Sequence, residues 1–98
     1  MKKFIISIDA GTTSNRSILF DLKGRPVYSS QKEFTQYFPK SGWVEHDPDE
    51  IWRTTIKTLK DVIAKAKKLR GKILSIGITN QRETTVLWDN KTGKPVYK

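Results

Sequence analysis

The chain has 98 residues, 36% apolar and 30% charged, with a net charge of +9 and no cysteine. That length accommodates one small domain or part of a larger one, and excludes two lobes closing on a cleft. Without cysteine there is no disulfide framework, thiolate metal site or thiol nucleophile, and no run approaches the roughly 20 apolar residues of a membrane span.

The chain opens with Met1-Lys2-Lys3 before an apolar run. Ser7 and Asp9 break that run too early for the h-region of a signal peptide, and a reducing cytoplasm is the expected setting. Lys3 to Ile8 reads instead as a buried strand, rich in β-branched residues. Residues 9–15 are small and polar and read as a turn. Arg16 to Asp21 is a second strand, with Ile18 and Phe20 on one face and Leu19 on the other. Residues 22–26 form a turn in which Gly24 supplies positive φ. Val27 to Thr35 completes a three-stranded antiparallel meander.

A connection over 39–46 leads to the sharpest local signal. Asp47 is a good N-cap, Pro48 suits the first helical position, and Glu50 is spaced for a capping box. Ile51, Trp52, Ile56, Leu59, Val62, Ile63, Ala66 and Leu69 recur at helical spacing, predicting a helix from about 48 to about 70 with Gly71 as its C′ stop. Trp43, Trp52 and Trp88 read as packing groups. Lys72 to Thr79 is a strand, residues 80–83 a polar link, Thr84 to Trp88 another strand, and residues 89–94 a turn. The resulting order is β-β-β-α-β-β. It matches the opening of a ribonuclease H-like α/β half-domain, the plan shared by actin, hexokinase and heat-shock-protein ATPases. Fold alone assigns no function.

Lys57, Lys60, Lys65, Lys67, Lys68, Arg70 and Lys72 concentrate the positive charge. They read as a solvated helix face with cations near the C-terminus, where the helix dipole favours them. A small basic nucleic-acid-binding module is the competing interpretation, but no zinc-finger, helix-turn-helix or RNP pattern accompanies the charge.

Three stretches hold polar side chains suited to chemistry. In residues 9–16, Asp9 ends a buried strand, where a carboxylate is costly unless paired or facing a ligand. Gly11 permits close backbone approach. Thr12, Thr13 and Ser14 offer hydroxyl and N–H donors for phosphate oxygens without a Walker-type loop. Asp9 suits the metal side of a nucleotide-bound Mg²⁺, and Arg16 offers fixed positive charge. The plainer interpretation is a turn whose polar groups satisfy their own backbone. In residues 80–84, Arg82 and Glu83 pair donors with acceptors at a strand end, which suits a polyhydroxylated substrate; a solvated loop is the alternative. His46, the only histidine, has no carboxylate or nucleophile partner assigned by sequence and reads as a loop-docking residue.

In this order, Asp9-x-Gly11-Thr12-Thr13-Ser14-x-Arg16, then Gly42-Trp43-Val44-Glu45-His46-Asp47-Pro48-x-Glu50-Ile51-Trp52, then Gly77-Ile78-Thr79-Asn80-Gln81-Arg82-Glu83-Thr84-Thr85 resemble the FGGY family of carbohydrate kinases, on its glycerol-phosphorylating branch. Thr92-Gly93-Lys94-Pro95 also matches. The resemblance covers essentially the whole chain and marks residues 1–98 as an incomplete part of the family's N-terminal domain. Ala10 and Asn15 depart from the Gln and Ser common in that branch.

The resemblance implies transfer of a phosphoryl group from ATP, with Mg²⁺, to the terminal hydroxyl of glycerol. It implies that Thr12, Thr13, Ser14 and Arg16 meet the nucleotide phosphates, that Asp9 lies near the metal, and that Arg82 and Glu83 hold the substrate's hydroxyls. The family's catalytic base, an aspartate, falls outside these residues, so the 98 residues alone are expected to be inactive. Another family member acting on a pentulose is the second alternative. A homo-oligomeric parent enzyme is left open.

Overall fold

Alternation places Phe4, Ile6 and Ile8 on one face of β1 (Lys2–Ala10), and all three are buried. A computed structural model of the chain describes residues 2–79 and 90–95. β2 (Ser14–Asp21) runs antiparallel to β1, with Leu19 opposite Ile6. β3 (Pro26–Glu33) runs antiparallel to β2, completing the expected meander. It ends two residues before the expected Thr35, which turns its N–H to the Glu50 carboxylate. The turn before β3 is closed by Asp21, whose carboxylate accepts the N–H groups of Lys23 and Arg25 at 2.9 and 3.0 Å, while Gly24 adopts φ +79°.

The chain then crosses the sheet through α1 (Pro48–Lys68) and returns as β4 (Gly71–Thr79), parallel to β1. The four described strands lie in the order β3-β2-β1-β4. The strand expected over Thr84 to Trp88 lies outside the described residues. No helix among the described residues is long and apolar enough to cross a membrane.

Helix α1 starts as its sequence dictates. Asp47 is extended and its Oδ1 accepts the Asp49 N–H at 3.0 Å. The capping box does not close: Glu50 reaches the N–H of Thr35 and so ties the first helical turn to the end of the meander. That bond holds the Glu50 carboxyl below its ordinary range. At the other end, Leu69 is the C-cap and Arg70, not Gly71, takes the left-handed position, at φ 57°. Gly71 is instead required by packing. A Cβ there would stand 2.0 Å from Cε2 of Phe4, whose ring is buried.

The core lies between α1 and one sheet face. Phe4, Ile6, Ile8, Leu19, Val62 and Ala66 form it, flanked by Leu59, Ile63, Leu69 and Ile73. Burying each of the larger side chains contributes about 1.5–3 kcal/mol. The helix's buried stripe is Thr54, Thr58, Val62 and Ala66, an i, i+4 ladder that begins with two polar residues. Both are satisfied by β2. Asn15 Nδ2 donates to Thr54 Oγ1 at 2.6 Å and to the Ile51 carbonyl at 3.0 Å. Ser17 Oγ lies 2.9 Å from Thr58 Oγ1, which itself donates to the Thr55 carbonyl.

Exposure corrects the expected packing role of two tryptophans. Trp52 is 65% exposed and Trp43 52% exposed, the latter with Lys40 Nζ 4.8 Å from its ring centre. At about 100° per residue, Trp52 sits some 200° around the helix from Thr54 and cannot face the sheet. Trp88 lies outside the described residues. A further apolar surface runs along β4. Ile76 and Ile78 pair with Ile6 and Ile8 and share their face, yet both are largely exposed because α1 packs mainly over β2 and β3.

Candidate functional site

The turn between β1 and β2 lies at the C-terminal end of β1. The Gly11 N–H donates to the Ser14 carbonyl at 3.0 Å and closes it. A Cβ at Gly11 would stand 2.9 Å from that same carbonyl, so a side chain would force the turn open. Thr12 and Thr13 form the exposed tip, and Ser14 begins β2, half-buried.

Asp9 and Arg16 face each other across the first strand pair, in register on the sheet face opposite α1. Thr79, last residue of β4, is the parallel neighbour of Asp9 and donates from Oγ1 to Asp9 Oδ1 at 3.2 Å. Arg16 Nη2 donates to Gln31 Oε1 at 3.2 Å, and Gln31 Nε2 donates to Ser14 Oγ at 2.8 Å. A relay of polar side chains thus runs Arg16–Gln31–Ser14, beside the Asp9–Thr79 pair. Among the described residues no ion pair engages Asp9 or Arg16. Nor do the described residues hold a group of three or more His or carboxylate donors that could cage a metal.

The back of the turn is fastened to the segment after β3. The Thr13 carbonyl accepts the Phe34 N–H at 3.2 Å, and the Thr12 carbonyl accepts Gln36 Nε2 at 3.1 Å. Gln36 is held in turn by His46, whose Nε2 donates to Gln36 Oε1 at 2.7 Å. The His46 ring meets the buried Phe34 ring edge-on, centroids 5.0 Å apart. Tyr37 and Glu45 exchange backbone hydrogen bonds at 2.8 and 2.7 Å and bring the strand-end segment and the His46 loop together. With the carbonyls of Thr12, Thr13 and Ser14 all engaged, the hydroxyls of Thr12 and Thr13 remain at the exposed surface.

Of the residues singled out by sequence, Asp9, Thr12, Thr13, Ser14 and Arg16 come together at this one end of the sheet. His46 docks the loop, as its lack of a catalytic partner implied. Arg82 and Glu83 lie outside the described residues; Thr79, the last described residue before them, ends β4 alongside Asp9. Sequence reasoning missed Gln31, Gln36 and Thr79. Gln31 had a findable signal, since it sits on the same face of the predicted meander as Arg16. A separate groove of about 560 Å³ lies at the opposite end of β1, lined by Phe4, Leu22, Val27 and Leu69 among others. It is mainly apolar and shares no residue with the polar cluster.

A mixed sheet with a polar, glycine-initiated turn after its first strand is the opening of the actin- and hexokinase-like kinase fold. Residues 4–98 match the FGGY family of carbohydrate kinases, N-terminal domain, and the chain belongs to that family. Over 97 residues it is 59% identical to the glycerol kinase of Petrotoga mobilis, spanning 99% of this chain and 20% of that protein. The solved glycerol kinase of Plasmodium falciparum with ADP superposes with a TM-score of 0.86 at 38% identity, over 98% of this chain and 19% of that one. A gluconate kinase structure from Lactobacillus acidophilus gives the same TM-score at 27% identity, over 98% of this chain and 19% of its own. The chain therefore spans about a fifth of the length of the relatives it matches.

Proposed function

We propose that the chain supplies the nucleotide-phosphate turn and part of the substrate site of an ATP-dependent glycerol kinase. The observation that carries this is the exposed turn at residues 11–14, set between Asp9 and Arg16, in a chain 59% identical to a glycerol kinase. Residues 1–98 are then an incomplete part of the kinase N-terminal domain, in a cytoplasmic enzyme where ATP is supplied.

In this role, the hydroxyls of Thr12, Thr13 and Ser14 donate to phosphate oxygens of ATP or ADP. Arg16 compensates negative charge on the same phosphates, and the Gln31 side chain keeps its guanidinium and the Ser14 hydroxyl in fixed relation. Asp9 fits a hard cation that keeps most of its ligands as water and phosphate oxygen, because it stands as a lone carboxylate rather than in a cage. Asp9 would hold a Mg²⁺ there, which would offset the negative charge of the nucleotide's phosphate oxygens. Arg82 and Glu83 bind the substrate's hydroxyls. The terminal glycerol oxygen takes the γ-phosphoryl group, the bond to the β-phosphate oxygen breaks, and ADP leaves. The hydroxyl proton passes to a base outside this chain.

The fold alone does not separate glycerol from a different sugar or polyol, since the gluconate kinase superposes as well as the glycerol kinase. Identity of 59% against 27% favours glycerol. The test is phosphoryl transfer by the full-length protein carrying these residues, offered glycerol, gluconate and xylulose at equal concentration. Preference for glycerol is expected, with Arg82→Ala raising KM for glycerol; preference for either sugar substrate overturns the assignment. The 98 residues alone are expected to show no transfer.

A further inference from the structure

We infer that Gln36, held by His46, is a positioning residue that sets the nucleotide-contacting turn from behind. This rests on the reading of residues 12–14 as the phosphate-binding turn, and adds to it a support that neither touches nucleotide nor belongs to the polar cluster.

Five contacts carry it. Gln36 Nε2 donates to the Thr12 carbonyl at 3.1 Å and also lies 3.4 Å from the Phe34 carbonyl, so the amide spans the turn and the strand end. Its Oε1 accepts from His46 Nε2 at 2.7 Å, which fixes the orientation of the amide. The Phe34 N–H donates to the Thr13 carbonyl. The His46 ring is held edge-on against the buried Phe34 ring. Gln36 and His46 are both half-buried, and Gln36 is separated from Thr12 by 24 residues of sequence.

The chemistry asks for such a device. A short turn with small residues has many accessible conformations, and ordering it on ligand binding costs affinity. Engaging its carbonyls in advance removes part of that cost. It also removes from the front of the turn acceptors that would repel phosphate oxygens. An amide suits the position because it donates to Thr12 while accepting from His46; a carboxylate can accept from His46 but cannot donate to a carbonyl.

The experiment uses the full-length kinase carrying this chain, with ADP as the probe in calorimetry and steady-state KM measured for ATP and for glycerol. Gln36→Leu removes the side-chain contacts to Thr12, Phe34 and His46. Gln36→Glu keeps the bond from His46 and sets an anionic oxygen against the Thr12 carbonyl. Each is expected to weaken ADP binding and raise KM for ATP, by roughly three- to tenfold for Gln36→Leu, the scale of one lost hydrogen bond, and by more for Gln36→Glu. KM for glycerol is expected to stay within about twofold, since Gln36 and His46 act on the nucleotide-contacting turn. His46→Phe, which keeps a ring against Phe34 but loses the N–H, is a second variant should the Gln36 variants fold poorly; it weakens ADP in the same direction. A control, Thr13→Val, tests the turn itself.

If Thr13→Val weakens ADP while Gln36→Leu, Gln36→Glu and His46→Phe leave it unchanged, the inference falls and the phosphate turn stands. If Thr13→Val also leaves ADP unchanged, both fall. Equal rises in KM for ATP and glycerol indicate general loss of structure and overturn the positioning role.

Discussion

Gly71 sits directly against the ring of Phe4, leaving no room for a side chain: an added Cβ would stand 2.0 and 2.4 Å from two ring carbons. Parallel pairing of β4 with β1 brings the two residues together where β4 begins, and the ring is one of the core's buried side chains. Gly71→Ala is expected to destabilise the domain by about 1–3 kcal/mol, the cost of overpacking. Adding Phe4→Leu should make the double variant more stable than the sum of the single effects requires. Denaturant unfolding of the three variants measures this; strict additivity would show that the ring and the glycine do not interact.

Removing the N-cap isolates a different contribution. Asp47→Ala deletes the acceptor of the Asp49 N–H and should cost about 1 kcal/mol. Asp47→Ser should recover most of it. Thermal unfolding followed by helical circular dichroism provides the readout.

The polar seam between β2 and α1 should be strongly coupled. Ser17 and Thr58 are both fully buried and 2.9 Å apart. Thr58→Val leaves the Ser17 hydroxyl without its acceptor and is expected to cost about 1–3 kcal/mol. Ser17→Ala combined with Thr58→Val removes both polar groups and should recover part of that loss. A double-mutant cycle gives the coupling directly, and a value near zero would mean the pair contributes nothing specific.

Acid should loosen the junction between Thr35 and α1. The Glu50 carboxyl is held below its ordinary value of 4.5, chiefly by the Thr35 N–H. A carboxyl depressed in the fold stabilises it fully above the unfolded value and loses that contribution as pH falls through the folded one. Asp21, through the Arg25 N–H, and Asp61, through Lys57, are shifted the same way. The informative quantity is therefore the difference between the wild type and Glu50→Gln. Their thermal midpoints should converge between about pH 5 and pH 3; a constant gap across that range would contradict the assignment.

The parts legible in the sequence are those governed by local rules. A short apolar, β-branched run marked β1, alternation marked β2, Asp47-Pro48 marked the start of α1, and small polar residues marked the turn after Asp9. Each of these depends on neighbours a few positions away. What escaped depends on partners distant in the chain. Thr54 and Thr58 look like surface residues until Asn15 and Ser17 are placed opposite them. Gly71 looks like a helix stop until Phe4 is laid against it, and Arg70 then takes the left-handed position. Glu50 looks like half of a capping box until the end of the meander arrives with a free N–H. The site shows the same division: Thr12, Thr13 and Ser14 were readable by type, whereas their support from Gln36 and His46 appears only once the strand end and the loop before α1 meet.

The two neighbours of β1 differ in what must happen before each can join it. β2 follows after a turn of a few residues, and a hairpin of that kind closes in microseconds. β4 lies some sixty residues beyond and can pair only after α1 has crossed the sheet, a late event because the loop entropy is paid before contacts repay it. Destabilising substitutions at Ile18 should therefore act mainly on the folding rate and those at Ile76 mainly on the unfolding rate, a division that the two arms of a stopped-flow chevron resolve. The strand that ends beside the Asp9 carboxylate is then the last of the four described strands to arrive, so the meander and its turn take shape before Thr79 reaches them.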